Sequence, residues 1–442
     1  MPAQTRVWPA WPEFASQGTE YSKDADFINV KKSIIDEYGA DALRKSWIKV
    51  CHSLERITDE ISAKGNSIIP IFDTEEVLAQ GGFTDAQRED AKRVGAFLFR
   101  STLPEEETRQ LYSELKGYVA DNKASIDGWP ASSPSMLVLY DSPVQNKIRA
   151  HPNHLQLQRI LNELWHDETN QTSSDPLIYH DGVRDRAPGQ PFLGLGPHID
   201  AGSLCRWADA GYRKVYDKIF RGSPEDHDCY DLGVRKDANQ ELFPGSAHST
   251  VFRSFQGWTA LTPTAPREGT ILVYPNVREV MAYMLLRPFF TTPTDQSEIM
   301  DAAKWTLDEK TGWFPGTTKP NSQRLSRASH PHLRLEECLV HMPKIKPGDS
   351  VWWHSDLCHA VDTEHLGKDN ASVVFIAACP STPANKAYIK RQLECTLAGK
   401  PSPDYSADCH ADETIFKGYV GLSRFTGDAR RAFGFDLLDA AV

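Results

Sequence analysis

His198 and Asp200, one residue apart in the run Pro197-His198-Ile199-Asp200-Ala201-Gly202-Ser203, are the side chains of this sequence best placed to do chemistry. On a strand or at a strand end, that spacing points both to one face. One more imidazole would complete two histidines and a carboxylate on a single face of a metal ion. Such a set suits non-haem Fe(II), because it leaves adjacent coordination positions open. A second run, residues 348–362, begins Gly348-Asp349, continues through the apolar Val351-Trp352-Trp353, and offers His354 and His359. His-x-Asp alone is common by chance; joined to a Gly-Asp-led apolar strand that ends in histidine, it is a far stronger signal. Two histidines and a carboxylate also bind zinc. A hydrolytic zinc site needs an adjacent general base, however, and no motif supplies one. Nor is there a Gly-x-Ser-x-Gly elbow, a Walker loop or a Gly-x-Gly-x-x-Gly fingerprint.

The elements that must position these residues can be read from pattern. With 442 residues, 25% charged and 40% hydrophobic, the chain suits one large domain or two smaller ones. Its formal charge of -11, without a long Lys/Arg run, argues against a nucleic-acid surface. No apolar run approaches the roughly 20 residues that span a bilayer. The first eight residues lack the apolar core of a signal peptide. Eight cysteines include no Cys-x-x-Cys pair, so reduced thiols in a cytoplasmic protein are expected.

Helical spacing occurs twice near the start. Phe27, Val30, Ile34, Ile35 and Tyr38 form one series; Leu43, Trp47, Val50, Leu54, Ile57 and Ile61 form the next, stopping at Gly65-Asn66. So regular a seam is expected to pack on the catalytic domain, with a homodimer contact as the alternative. Residues 1–92 therefore read as an irregular arm and helical extension, and 93–442 as the domain that carries the site. Strands are expected at 94–100, 136–140, 177–179, 192–195, 251–261, 270–274, 333–342, 350–353, 359–361 and 373–378. Helices are expected after Pro104 and over 152–165. Two inserts interrupt the strands. Residues 207–247 read as helices and loops near the site, and 292–330 as solvated loop or lid. This pattern indicates a mainly β fold with some α, a barrel or jelly roll with an N-terminal helical layer.

Several runs together carry a likeness. They are residues 195–203 and 348–362, Phe255-Gln256-Gly257-Trp258-Thr259-Ala260-Leu261, Cys379-Pro380-Ser381-Thr382-Pro383-Ala384-Asn385 and Pro401-Ser402-Pro403-Asp404-Tyr405. With them the sequence resembles the 2-oxoglutarate/Fe(II)-dependent oxygenase superfamily, nearest its phytanoyl-CoA dioxygenase-like branch. Within that branch it resembles a microbial family of mostly uncharacterised members catalogued as a domain of unknown function. The likeness spans about residues 94–405. It implies a double-stranded β-helix with the metal inside one mouth, and Fe(II), 2-oxoglutarate as cosubstrate and O₂ as the cofactors. The implied iron ligands are His198, Asp200 and His359. In the resembling pattern the ligand is the second histidine after Gly-Asp, which ranks His359 ahead of His354 and leaves His354 as a core residue.

The resemblance also implies a reaction: decarboxylation of 2-oxoglutarate to succinate and CO₂, coupled to oxidation of a C–H bond of a small molecule. Hydroxylation, desaturation and oxidative cyclisation are all open to such a site. The retained Asp200 argues against a halogenating variant. Many relatives hold the far carboxylate of 2-oxoglutarate with an arginine about ten residues beyond the distal histidine. Here Lys368-Asp369-Asn370-Ala371-Ser372 stands in that place. Arginine is the best bidentate partner for a carboxylate, so the cation is expected from another strand, with Arg253 and Arg206 as candidates. Arg184 and Arg186, with these two, point to an anionic or amino-acid-like substrate. Trp258, Trp352 and Trp353 are expected in a dry cavity or in the core. The alternative is a non-catalytic cupin-like protein that binds a metal or ligand.

Overall fold

Trp47 accounts for the regular helical seam at the start of the chain. In the structure, a computed structural model that describes residues 8–13, 23–190, 195–245, 249–405 and 412–439, the seam folds as the helices Ala25–Tyr38 and Ala40–Lys64. Asp24 caps the first, accepting from Asp26 N, and the N–H of Gly65 closes the second on Ile61 O. Leu43, Trp47, Val50, Leu54 and Ile61 are all buried. The longer helix packs on the helix Arg278–Leu286. The Trp47 ring lies 4.7 Å from Phe290 and 5.2 Å from Tyr283, and its indole N–H donates to Ala302 O at 3.2 Å. Part of the 292–330 insert is thus core rather than solvated loop, with Trp305 fully buried. Trp47→Phe is expected to cost about 2 kcal/mol, from the lost hydrogen bond to Ala302 O and the smaller ring left against Phe290 and Tyr283. Urea unfolding of the two proteins checks this.

Apolar alternation builds two principal sheets. The larger has nine strands. Its path runs Ile71–Asp73, Ala96–Arg100, Ser350–His354, Phe255–Ala260, Ala371–Ser381, Val183–Arg186, Met136–Leu137, Gly128–Trp129, and Ser173–Leu177 pairs with the far end of Ala371–Ser381. The smaller has five strands in the order Gln323–Arg324, His198–Ile199, His359–Val361, Ile271–Val273, Val340–His341. Between residues 183 and 381 the chain passes larger, smaller, larger, smaller, smaller, larger, smaller, larger, apart from the strand 323–324 and a separate two-stranded sheet of Phe290–Thr291 and Thr306–Leu307. Every pairing in this part is antiparallel.

Helix takes a larger share than the mainly β expectation allowed, and the fold class is mixed α/β with several sheets. No closed barrel forms among the described residues. The 207–247 insert contributes Ala210–Val215, Asp217–Phe220 and Leu232–Arg235, and Pro383–Leu397 follows the last strand. The expected strand at 333–342 divides into the helix Leu335–Cys338 and the strand Val340–His341; Leu335, Cys338 and Leu339 stand at steps of three and four, which suits a turn of helix. Of the expected strand at 192–195, residues 192–194 lie outside the described residues, as do 1–7 and 14–22 of the arm. No described helix is long and apolar enough to cross a membrane.

Candidate metal centre

His198 and Asp200 come from one strand end of the smaller sheet, and the neighbouring strand brings His359 directly opposite His198. Paired residues share a face, so the two imidazoles converge, their ring centroids 4.2 Å apart. His198 Nε2 lies 3.5 Å from Asp200 Oδ1 and His359 Nε2 lies 3.4 Å from Asp200 Oδ2. The three donor atoms all fall within 4.8 Å of one another. Each ring is set by its other nitrogen: His198 Nδ1 contacts Gly196 O at 2.8 Å, and His359 Nδ1 contacts Leu357 O at 3.0 Å. A carbonyl only accepts, so both Nδ1 atoms carry the proton and both Nε2 lone pairs face Asp200. Burial pushes the His198 imidazole down to about 3, and His359 adds to the effect. The ring is therefore neutral, as a metal ligand must be. Burial alone would raise Asp200, but the charged groups around it, Arg253 among them, outweigh it and hold the carboxyl well below the usual range. The donor set fits one divalent ion with open positions.

His354 stands apart from this trio. Its Nε2 donates to Cys229 O at 3.0 Å, its Nδ1 accepts from Asp356 N at 3.0 Å, and its ring stacks on Trp165 at 4.8 Å. Neither nitrogen is left for a metal.

Arg206 corrects an expectation. It does not line the cavity, and none of its five N–H groups is available to a cosubstrate. Nε donates to Gly202 O at 2.9 Å; Nη1 donates to Tyr216 Oη at 2.7 Å and Asp356 Oδ1 at 2.8 Å; Nη2 donates to Asp200 O and Ala201 O, each at 2.7 Å. The guanidinium gathers three successive carbonyls of the turn that follows the ligand Asp200. That turn needs holding, since Ala201 sits at φ 55°. At Gly202, also at positive φ, a Cβ would come within 2.7 Å of Cys205 Sγ. Arg235 closes the network, 3.1 Å from Asp356 Oδ1 and 2.8 Å from Tyr212 Oη, while Tyr212 donates to Ala201 O at 3.1 Å. Asp356 lies three residues before His359, so one buried network ties the two ligand-bearing segments together. Arg186 is also a brace, donating to Asp362 O and Thr363 O at 2.7 Å each.

A cavity of about 450 Å³ opens beside the trio, between the two sheets. Trp258 and Trp353 line it; Trp352, one residue out of phase, turns to the other side of the sheet and is core. Arg253 and Arg184 both line the cavity. Arg253 is 15% exposed, lies 3.9 Å from Asp181 Oδ2, and makes no hydrogen bond among the described residues. Arg184 donates to Gly269 O, while its Nε is buried without a partner among the described residues. Burial, with Arg186 beside it, pushes Arg184 down to about 10, so it remains a cation at neutral pH.

A family model described as Gig2-like matches residues 22–435. The chain belongs to the Gig2-like family. A curated relative, the uncharacterized protein YbiU of Escherichia coli K12, is 29% identical over 391 residues, covering 85% of this chain and 88% of its own. Among solved structures, GlcNAc Inducible Gene 2 (GIG2) of Candida albicans superposes with a TM-score of 0.83 at 25% identity, over 96% of this chain and 90% of that one. A protein of Salmonella typhimurium LT2 named as a candidate oxidoreductase gives 0.78 at 27% identity, over 96% and 100%.

Two residues of this Gig2-like chain escape a sequence reading altogether. Ser322 donates to Asp200 Oδ1 at 3.2 Å, and Arg324 pairs in register with His198, so its side chain shares that face. Arg324 lies on the two-residue strand Gln323–Arg324 inside the second insert and Ser322 just before it, a stretch too short to leave a periodic signal. Asp200 is accordingly held from two sides, by Ser322 at its carboxylate and by Arg206 at its carbonyl.

Proposed function

We propose that this chain is an Fe(II)/2-oxoglutarate-dependent oxygenase that oxidises a C–H bond of a small molecule. The observation that carries the reading is the convergence of two inward-facing Nε2 lone pairs and one carboxylate at a cavity lined by two arginines. The alternation of strands between the sheets supports a jelly-roll assignment, the double-stranded β-helix. A structural neighbour named as a candidate oxidoreductase supports the class. A cytoplasmic setting suits the seven described cysteines, none of them paired.

His198, Asp200 and His359 would hold the iron, which when bound supplies, with 2-oxoglutarate and O₂, the oxidising power for the C–H bond and releases succinate and CO₂. The remaining work is done by the chain itself. Arg184 is assigned to the far carboxylate of 2-oxoglutarate. It pairs with Val373 on the last strand, and paired residues share a face. A guanidinium therefore reaches, from the adjacent strand, the region where residues 368–372 lack one. Trp258, Trp353 and Phe375 line the cavity with apolar surface and keep water out.

Purified protein with Fe(II), ascorbate and 2-oxoglutarate is expected to release succinate in an O₂-dependent manner, and Asp200→Ala to abolish it. Arg184→Met is expected to weaken 2-oxoglutarate binding by about 1.5–3 kcal/mol, the worth of a hydrogen bond to a charged group, with metal content unchanged. Calorimetric titration under anaerobic conditions reads both quantities. Iron-loaded protein that never binds 2-oxoglutarate would instead favour a non-catalytic cupin-like binding protein.

A further inference from the structure

We propose that Arg253 and Asp181 form a subsite for an α-amino acid substrate, with the carboxylate on the guanidinium and the ammonium on Asp181 Oδ2. The assignment rests on the oxygenase reading above and deepens it by naming the substrate class. Arg253 lies in the cavity wall, yet makes no hydrogen bond among the described residues. Asp181 is 3.9 Å away, near enough to offset its charge and too far to satisfy its N–H groups. The other oxygen of Asp181 is already fixed, accepting from Gly182 N at 2.7 Å and from Tyr405 Oη at 3.3 Å. What the pair offers the cavity is thus a row of donors beside an acceptor. An α-amino acid presents the complementary groups, joined by a single carbon.

Position separates this subsite from the cosubstrate. Arg184 and Ala260 both pair with Val373, whereas Phe255, two residues after Arg253, pairs with Ala378. Five residues of extended strand amount to about 17 Å, so the backbones of the two arginines are rooted at different ends of the cavity wall. Arg253 shares the cavity wall with His198, Asp200 and His359, the residues that would hold the metal, and a substrate has to bind beside them.

Charge balance selects a zwitterion over a simple anion. Among the side chains that line the cavity, Arg184 and Arg253 are offset by Asp181 and Asp200, and a divalent metal is offset by dianionic 2-oxoglutarate. A ligand of no net charge leaves that balance intact, and buried charge without a partner is costly. Met136, Trp258 and Phe375 supply an apolar wall for the side chain of such a ligand.

The test uses the full chain, loaded with Mn(II) and 2-oxoglutarate, and the twenty free L-amino acids as probes in a binding titration. At least one is expected to bind. Its amide, which lacks the carboxylate, and its des-amino counterpart are each expected to bind about 10- to 100-fold more weakly. Arg253→Lys and Asp181→Asn are expected to lose amino-acid affinity by a similar factor while metal content and 2-oxoglutarate affinity stay within about threefold. The proposal is overturned if none of the twenty binds to protein that has taken up both metal and 2-oxoglutarate. It is likewise overturned if Arg253→Lys weakens 2-oxoglutarate as much as the amino acid, for Arg253 would then belong to the cosubstrate. Amino-acid binding that depends on Arg253 and Asp181, in protein that never takes 2-oxoglutarate, would support the subsite and sink the oxygenase reading alone.

Discussion

His359→Ala is expected to bring bound iron close to zero after anaerobic reconstitution, whereas His354→Ala keeps a full equivalent and loses stability instead. The two histidines lie five residues apart in one run of sequence, yet their surroundings differ. His359 donates Nδ1–H to Leu357 O and turns its free Nε2 to Asp200. Removing even a residue that orients a metal ligand costs about 10- to 100-fold in affinity; removing one of three ligands outright costs more. His354 has both nitrogens engaged by the backbone of Cys229 and Asp356. Its loss leaves a buried carbonyl and a buried N–H unsatisfied at about 1–3 kcal/mol each, and a void beside Trp165. Metal analysis together with urea unfolding separates the outcomes. Iron retained by His359→Ala and lost by His354→Ala would show the ligand assignment to be wrong.

What the sequence discloses about this site follows the distance over which each feature is encoded. His198 and Asp200 are two residues apart, so a local rule of strand geometry is enough to put them on one face. The helix Ala40–Lys64 is legible for the same reason, its seam repeating over 25 residues. Arg206 is not. Its position just after the ligand pair suggests a cation for the cosubstrate, but its role depends on Asp356, 150 residues away. No periodicity reports which of two nearby arginines meets a distant carboxylate and which is left facing a cavity. Arg184 needs the register between its strand and Ala371–Ser381, and Ser322 needs the route of an insert. The pattern understates the helical share: turns of four residues, such as Cys205–Ala208 and Leu335–Cys338, are shorter than any window in which a 3.6-residue period shows, and a longer helix such as Arg278–Leu286, buried from Val280 to Leu286, has no polar face to mark its period.

Asp356→Ala is expected to destabilise the protein by about 3–5 kcal/mol, since truncating one member of a buried ion network leaves uncompensated charge behind. Asp356 receives Arg206 at 2.8 Å, Arg235 at 3.1 Å and the Tyr216 hydroxyl at 3.1 Å. Both guanidinium groups hold its carboxyl well below the ordinary range, against the burial that opposes ionisation. Without it, two buried arginines face each other with only phenol oxygens and carbonyls between them. The consequence then reaches the metal. Arg206 gathers the carbonyls of Asp200, Ala201 and Gly202, and Ala201 holds a left-handed backbone that alanine adopts at a cost of about 1–2 kcal/mol. Once Arg206 swings away, the turn is free to relax and Asp200 loses its aim at the two imidazoles. Metal affinity is therefore expected to fall about 10- to 100-fold, the range found for residues that orient a ligand. Arg206→Lys gives a milder probe that keeps the charge; a single ammonium cannot span three carbonyls and a carboxylate, so metal affinity falls while most of the stability remains. Mn(II) titration and urea unfolding of both variants measure the two effects apart. A metal affinity equal to wild type in folded Arg206→Lys protein would show that the turn holds Asp200 without help, and that the network serves stability alone.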